Sequence, residues 1–409
     1  MSARHGGALR SRAHRRTAAL AGFAALSLAV AGCSGDNSAA PRPKTNGEPV
    51  AASSAPPTPE VQVRTNVQGA AVKVDKTVKV SATDGRLEKV TVKAKGAKLP
   101  GKLSADRSTW TSTGTLEPGL RYKVTAAAVD GDGLSATRRS SFHTQDLTLD
   151  QQTFPSFVPV QGQTVGVGMP VIVRFDVAVT DKARIEKHLK VTNTAGQKGS
   201  WHWISDNEVH WRPVHYWQPG TDVTVTADIN SVPAGNGVFG QLDRTSTFHV
   251  GDAMVSRVNA QSHQMKVFRN GNLIRTIPIT TGKPGFTTRS GTKVIIEKFP
   301  KKRMNSETVG IARNSSEGYD IDDVRWAMRV TYSGEFLHAA PWSVGSQGHD
   351  NVSHGCTGMS TSNAAWLYGI SKIGDVVEYT GTNRPMTLTN GYGDWNESFD
   401  TWRQGSALG

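Results

Sequence analysis

The sequence has two cysteines in 409 residues, only 7% aromatic residues, and charged residues at a moderate 20%. Long helix-period apolar stretches are scarce. Two cysteines leave no room for a disulfide framework, and the scarcity of helical periodicity beside 42 glycines argues against a helical bundle and for strands and turns. The formal charge of +13 includes Arg4, Arg10, Arg12, Arg15 and Arg16, all ahead of Cys33 with no acid among them, so the rest of the chain carries 13 − 5 = +8. That charge is not gathered into a stripe with aromatics, which leaves nucleic-acid binding without support. An anionic wall or membrane surface and plain solubility both fit it. The length calls for two to four domains.

Both cysteines stand at informative places. Cys33 closes a basic segment followed by a small-residue apolar run (18–32), the pattern of an export signal; the run is too short and too rich in Ala and Gly for a spanning helix. Val30-Ala31-Gly32-Cys33 resembles a bacterial lipobox, in which the cysteine is acylated and becomes the new N-terminus, so membrane attachment through lipid on Cys33, on the extracytoplasmic face, is expected. Plain secretion with cleavage nearby is the alternative. Arg15-Arg16 leaves Sec and twin-arginine export both open. With Cys33 acylated, Cys356 has no partner and stays a free thiol, a liability outside the cytoplasm unless it does chemistry.

Residues 34–60 are rich in Ser, Ala and Pro and predict an extended tether. A tandem repeat follows. Trp110, Leu116-Glu117-Pro118-Gly119 and Lys123-Val124-Thr125-Ala126 recur 101 residues later as Trp211, Trp217-Gln218-Pro219-Gly220 and Thr224-Val225-Thr226-Ala227. Ser141-Phe142-His143 and Thr247-Phe248-His249 end the two copies. Alternating strands (90–94, 122–126, 171–175) in units of about 100 residues predict two disulfide-free immunoglobulin-like sandwiches, 61–147 and 148–250, each with a Trp in its core. His202, His210 and His215 lie among Trp201, Trp203, Trp211 and Trp217 with no acid or cysteine at ligand spacing, which favours packing over a metal site.

The texture changes near residue 252. Strands are predicted at 255–259, 264–269, 273–281, 293–298, 327–331, 336–338 and 375–379, with Asn270-Gly271 as a hairpin turn. One helix is predicted over 361–373, capped by Ser360 or Thr361. The expectation is a mainly β third domain, 252–382, with one helix after the cysteine. The tail, 383–409, carries Trp395 and Trp402 and should pack on a folded domain.

A cysteine attacks as its thiolate, so an active one needs a base or cation nearby. His338, His349 and His354 precede Cys356. His354 is two residues away on the same tight turn, whereas His338 ends a strand 18 residues earlier and can be carried beside the sulfur by an adjacent strand. Gly355 lets the backbone approach a carbonyl, and the amides of Gly355 and Cys356 suggest an oxyanion hole. A zinc site from His338, His349, His354 and Cys356 is the rival; it would have no acid and no open position.

The run His338-(14 residues)-Ser353-His354-Gly355-Cys356 resembles the signature of the L,D-transpeptidases of the YkuD type. The stretch Ser333-Gly334-Glu335-Phe336-Leu337-His338-Ala339-Ala340-Pro341-Trp342-Ser343-Val344-Gly345 is similar to the mycobacterial and actinobacterial branch, as are Gly282-Lys283-Pro284-Gly285-Phe286 and Gly393-Asp394-Trp395-Asn396. The resemblance implies that Cys356 forms a thioester with the third residue of a peptidoglycan stem peptide, releasing terminal D-Ala, and that a second stem's side-chain amine resolves it into a 3→3 cross-link. It implies His338 as general base, oriented by the Ala339 carbonyl. Ser353, His354 and Gly355 would shape the oxyanion turn, and Tyr319, Met304, Ser333, Phe336 and Trp342 would line the pocket. It implies no metal or organic cofactor, and the chain is expected to be monomeric. One position departs: where the family has Asn or Arg two residues after the cysteine, this chain has Gly358. Hydrolysis of the same thioester (an L,D-carboxypeptidase) and a non-catalytic wall-binding lipoprotein are the competing functions.

Overall fold

The computed structural model describes residues 57–409. The expected signal segment, Cys33 and nearly all of the tether lie outside the described residues. Among those described, no helix is long and apolar enough to cross a membrane.

The first sandwich packs a four-stranded sheet, ordered Gln62–Thr65, Lys79–Thr83, Thr109–Ser112, Gly101–Leu103, against a five-stranded one, ordered Gly69–Val72, Ser135–Thr144, Arg121–Val129, Arg86–Ala94, Ala97–Lys98. The second repeats the plan with Pro155–Val158, Val171–Phe175, Glu208–Pro213 and Gly199–Trp203 facing Thr164–Val165, Arg244–Val250, Asp222–Ala227 and Leu189–Asn193. The sequence repeat has a physical meaning. Trp110 and Trp211 are both buried and each lies across a glycine of the neighbouring strand; a Cβ at Gly101 or Gly199 would run into the indole. Leu116 and Trp217, aligned by the repeat, are both almost fully buried, as are Phe142 and Phe248.

The third domain has two sheets. One is ordered Asn272–Pro278, Gln264–Arg269, Met254–Asn259, Val376–Thr380, Gly291–Val294; the other is Glu297–Asn305, Asp320–Arg329, Phe336–Ala339, Thr357–Met359. Met265, Ile277, Met328, Leu337, Met359 and Leu367 fill the space between them. At the first hairpin Asn270 (φ 49°) and Gly271 (φ 83°) both take the left-handed conformation that a two-residue turn requires.

The strand expected over 327–331 is the end of a longer one, Asp320–Arg329, and that over 273–281 stops at Pro278; two further elements change. The strand expected over 293–298 is two strands in different sheets. Val294, Ile295 and Ile296 are all buried without alternation, because the chain crosses here between layers: Ile295 enters the third domain's core and Ile296 the second sandwich's. The helix is Thr361–Ile370, three residues shorter than predicted. Ser360 caps its start by accepting from the Asn363 amide (3.3 Å). Its end is set by Ser371, which is extended, by Asp375 taking the Lys372 amide (2.7 Å), and by Gly374 at φ 93°. The tail crosses back over the second sandwich and ends in a short helix, Phe399–Arg403, with Trp402 fully buried.

The histidines of the second sandwich divide. His202 stacks on Trp402 with ring centroids 4.5 Å apart. His210 is buried and held between Glu208 (2.9 Å) and Asp394 (2.8 Å), so a carboxylate absent from its sequence neighbourhood arrives from the tail.

Candidate active site

Parallel pairing of Leu337 with Thr357, His338 with Gly358 and Ala339 with Met359 brings the strand that ends the approach to the cysteine alongside the strand that follows it. Cys356 sits one residue before that pairing begins. His338 and Cys356 therefore line one cleft of about 250 Å³, with Met304, Tyr319, Trp342, Ser353, His354 and Gly358 among its walls.

His338 is 5% exposed, and its Nδ1 donates to the Ala339 carbonyl at 2.8 Å, which leaves Nε2 as the nitrogen without a proton. Burial lowers its pKa, with the bond to Ala339 opposing. The Trp342 indole, half-exposed at the cleft mouth, stacks on the imidazole at 5.9 Å. The Cys356 thiol donates to the Gly334 carbonyl at 3.6 Å. Burial pushes its pKa up to about 11; Glu335 adds to this, while the Phe336 amide, Lys293 and Arg329 oppose it. The resting pair is thus a neutral thiol and a neutral imidazole.

The turn before the cysteine is tied from inside. Ser353 Oγ donates to the Cys356 carbonyl (2.7 Å) and accepts from the Gly355 amide (3.1 Å). The Gly355 amide predicted for an oxyanion hole is therefore already engaged, because the hydroxyl two residues earlier reaches it first. Gly355 itself has φ 118°, a conformation that L side chains rarely adopt. His354 points away from the sulfur's base position: Nε2 bonds Glu317 (2.8 Å), which also takes Lys283 Nζ (2.6 Å). The Lys283 and His354 bonds hold the Glu317 carboxyl below its usual range. Phe286 and Tyr319 flank the same imidazole at 4.6 and 5.1 Å, and burial pushes the Tyr319 phenol up to about 12. Of the residues of the zinc alternative, His338 has its Nδ1 on the Ala339 carbonyl and His354 its Nε2 on Glu317. Among the described residues no cluster of three or more His, Cys, Asp and Glu side chains is arranged to hold a metal.

Two expected pocket residues sit elsewhere. Ser333 is exposed and exchanges hydrogen bonds with Asn390 of the tail (2.8 and 2.9 Å), because its turn is recruited by the tail. Phe336 is buried beneath the Arg329 guanidinium (4.5 Å) and does not reach the cleft. At Gly358 a Cβ would stand 2.9 Å from the Ala340 Cβ and 3.0 Å from the Thr280 Cγ2, so the glycine follows from two methyls already occupying that side.

Sequence reasoning missed three charged residues near the cysteine. Glu335 (4% exposed) accepts Lys293 Nζ at 2.5 Å, Arg289 Nη1 at 2.9 Å and the Arg289 amide at 3.1 Å. Burial lowers the Lys293 pKa to about 8 against the pull of Glu335. A lysine inside an alternating strand carries no sequence signal of burial.

Fold and site define a class: tandem immunoglobulin-like sandwiches carrying a β-rich catalytic domain whose cleft holds a cysteine and a histidine. Residues 69–233 match the family described as a bacterial Ig domain, and residues 254–378 match the L,D-transpeptidase catalytic domain. The chain is 39% identical over 338 residues to L,D-transpeptidase 2 of Mycobacterium tuberculosis (strain CDC 1551 / Oshkosh), covering 82% of each protein. It is 33% identical over 362 residues to L,D-transpeptidase 5 of the H37Rv strain, covering 86% of this chain and 78% of that one. A solved LD transpeptidase in complex with imipenem is 37% identical, with a TM-score of 0.49 over 55% of this chain and 97% of that chain. The chain belongs to the L,D-transpeptidase family.

Proposed function

We propose that the protein cross-links peptidoglycan through a thioester on Cys356. The observation that carries this reading is the orientation of His338 in the cleft it shares with Cys356: Nδ1 is fixed on the Ala339 carbonyl and Nε2 is left to take a proton. As the sulfur attacks the carbonyl carbon of the third stem residue, its proton passes to Nε2. The C–N bond to the terminal D-Ala then breaks, and the proton leaves with the amine. The side-chain amine of a second stem attacks the thioester, gives up a proton through His338, and expels the sulfur, forming the 3→3 amide. Because thiol and imidazole are both neutral at rest, proton transfer accompanies attack. Tyr319, Met304 and Trp342 are the substrate-facing walls, and the Cys356 amide serves the developing oxyanion, joined by Gly355 once the Ser353 bond gives.

A carbapenem tests the nucleophile. Intact mass after exposure is expected to show one adduct, absent in Cys356→Ala; wild-type protein with no adduct would favour a wall-binding module. Purified tetrapeptide muropeptides are expected to yield a 3→3 dimer, whereas tripeptide alone would mark hydrolysis. The proposal extends to attachment on the outer face of the membrane by lipid on Cys33, with the chain monomeric. Cys33→Ser should leave the membrane fraction, and light scattering should return the mass of one chain.

A further inference from the structure

Three ionisable side chains meet behind the nucleophile's turn. Lys293, on the strand Gly291–Val294, is completely buried, with its Nζ 2.5 Å from Glu335 Oε2 and 3.7 Å from the centre of the Tyr379 ring. The Tyr379 hydroxyl pairs with Thr357 Oγ1 at 2.8 Å, one residue past the cysteine. Glu335 follows Gly334, whose carbonyl receives the Cys356 thiol, and its Cγ stands 3.6 Å from where a Gly355 Cβ would project. Arg289 closes the other carboxylate oxygen at 2.9 Å. Two cations and one carboxylate leave one net positive charge packed against residues 355–357. Burying such a group costs desolvation that an apolar trio of the same shape would avoid, so pairing alone is a weak reason for its presence.

We propose that Lys293, supported by Glu335 and Arg289, is a positioning residue for the reaction: its charge stabilises the Cys356 thiolate that forms as the proton leaves for His338. Glu335 holds Lys293 protonated and in place, while Arg289 balances the carboxylate so that the cluster's field at the sulfur stays positive. The other charged or ionisable groups around the sulfur are Arg329, itself paired with Glu297 at 2.5 Å, the phenols of Tyr319 and Tyr379, and the imidazoles of His338 and His354, the latter bound to Glu317. Of the two cations acting on the thiol, Lys293 is the buried one, so its charge is the less screened by solvent.

The proposal rests on Cys356 being the nucleophile, and its test does not require turnover, so the two fail separately. The rate of iodoacetamide modification of Cys356 in the full-length chain, followed by peptide mass near pH 7, below the point where Lys293 gives up its proton, reads the thiolate. Loss of a neighbouring opposite charge moves a pKa by roughly 1–3 units. Part of that loss in thiolate is offset by greater nucleophilicity. Lys293→Met is therefore expected to react roughly three- to thirtyfold more slowly than wild type. A merely structural cluster predicts the reverse for Lys293→Met, since loosening the turn exposes the thiol and speeds its alkylation. Should Lys293→Met fail to fold, Arg289→Gln, at a partly exposed position, is expected to slow the reaction in the same direction. Unchanged or faster alkylation in the cation variants overturns the proposal.

Discussion

Between the two sandwiches, Thr115 Oγ1 donates to the Asn230 carbonyl at 2.8 Å and the Asn230 amide bonds the Glu117 carboxylate, while the first sandwich keeps a core of its own. Between the second sandwich and the catalytic domain a single core runs through. Val294, Ile296 and Val376 of the catalytic domain and Tyr392 of the tail belong to the same buried cluster as Val165, Val167, Met169 and Trp217. The Gly166 and Gly168 amides bond the carbonyls of Ile373 and Gly374 (both 2.9 Å), and side chains larger than hydrogen at either glycine would collide with that segment. The tail then clamps the joint. Trp395 and Trp402 each lie 4.9 Å from the Arg212 guanidinium, and their indoles donate to the Gly168 and Ser200 carbonyls. Exposed polar pairs contribute little each, whereas continuous apolar burial scales with area. The chain thus invests its packing in the joint that supports the cleft and leaves the joint between the two sandwiches to surface contacts.

The largest effect should come from Trp402→Ala, which removes a fully buried indole from the clamp. It is expected to cost about 3–5 kcal/mol, read as a fall in the melting transition of the second sandwich and catalytic domain together. A cost below about 1 kcal/mol would mean that the tail does not hold the joint.

A smaller effect is expected from pH. Burial disfavours charge on His210, but Asp394 and Glu208 outweigh it and raise its pKa to about 9. Its contribution is therefore complete below its ordinary value near 6.5 and lost as pH rises through 9. Between pH 7 and 10 the joint should lose about 2 kcal/mol. Burial opposes ionisation of Glu208 as well, yet His210 and Arg174 hold it down to about 2, so its share is present above pH 4.5 and lost as pH falls toward 2. Asp394→Asn should remove most of the alkaline dependence; an unchanged slope in that variant would break the assignment.

The smallest effect belongs to the first joint. Asn230→Ala should cost less than about 1 kcal/mol and leave both melting transitions in place, while small-angle scattering reports a broader range of inter-sandwich distances. A loss of stability comparable to that of Trp402→Ala would erase the contrast between the joints.

Much of this architecture was legible because it is written in local patterns. Alternation marked the strands, the 101-residue repeat marked the paired sandwiches, and Asn270-Gly271 marked its hairpin. His338 could be preferred over His354 as a base because a strand end can approach a sulfur that a neighbour on the same turn cannot face, and His354 is in fact bound to Glu317. Other features were out of reach. Ser333 reads as a pocket residue until Asn390 of the tail takes it, and 293–298 reads as one strand until the chain is seen crossing between layers. Lys293 and Glu335 are 42 residues apart, and His210 and Asp394 are 184 apart, so neither pair leaves a spacing to recognise.

The sequence by itself determined the mainly β character, the tandem sandwiches and the His338–Cys356 candidate pair, since periodicity, turn chemistry and a short motif act within a few residues. Only the tertiary structure decided which charges surround the sulfur, which joint shares a continuous core, and why Gly358 carries no side chain. Those outcomes depend on strand order and layer crossing. They bring together groups whose separation along the chain bears no relation to their distance in space.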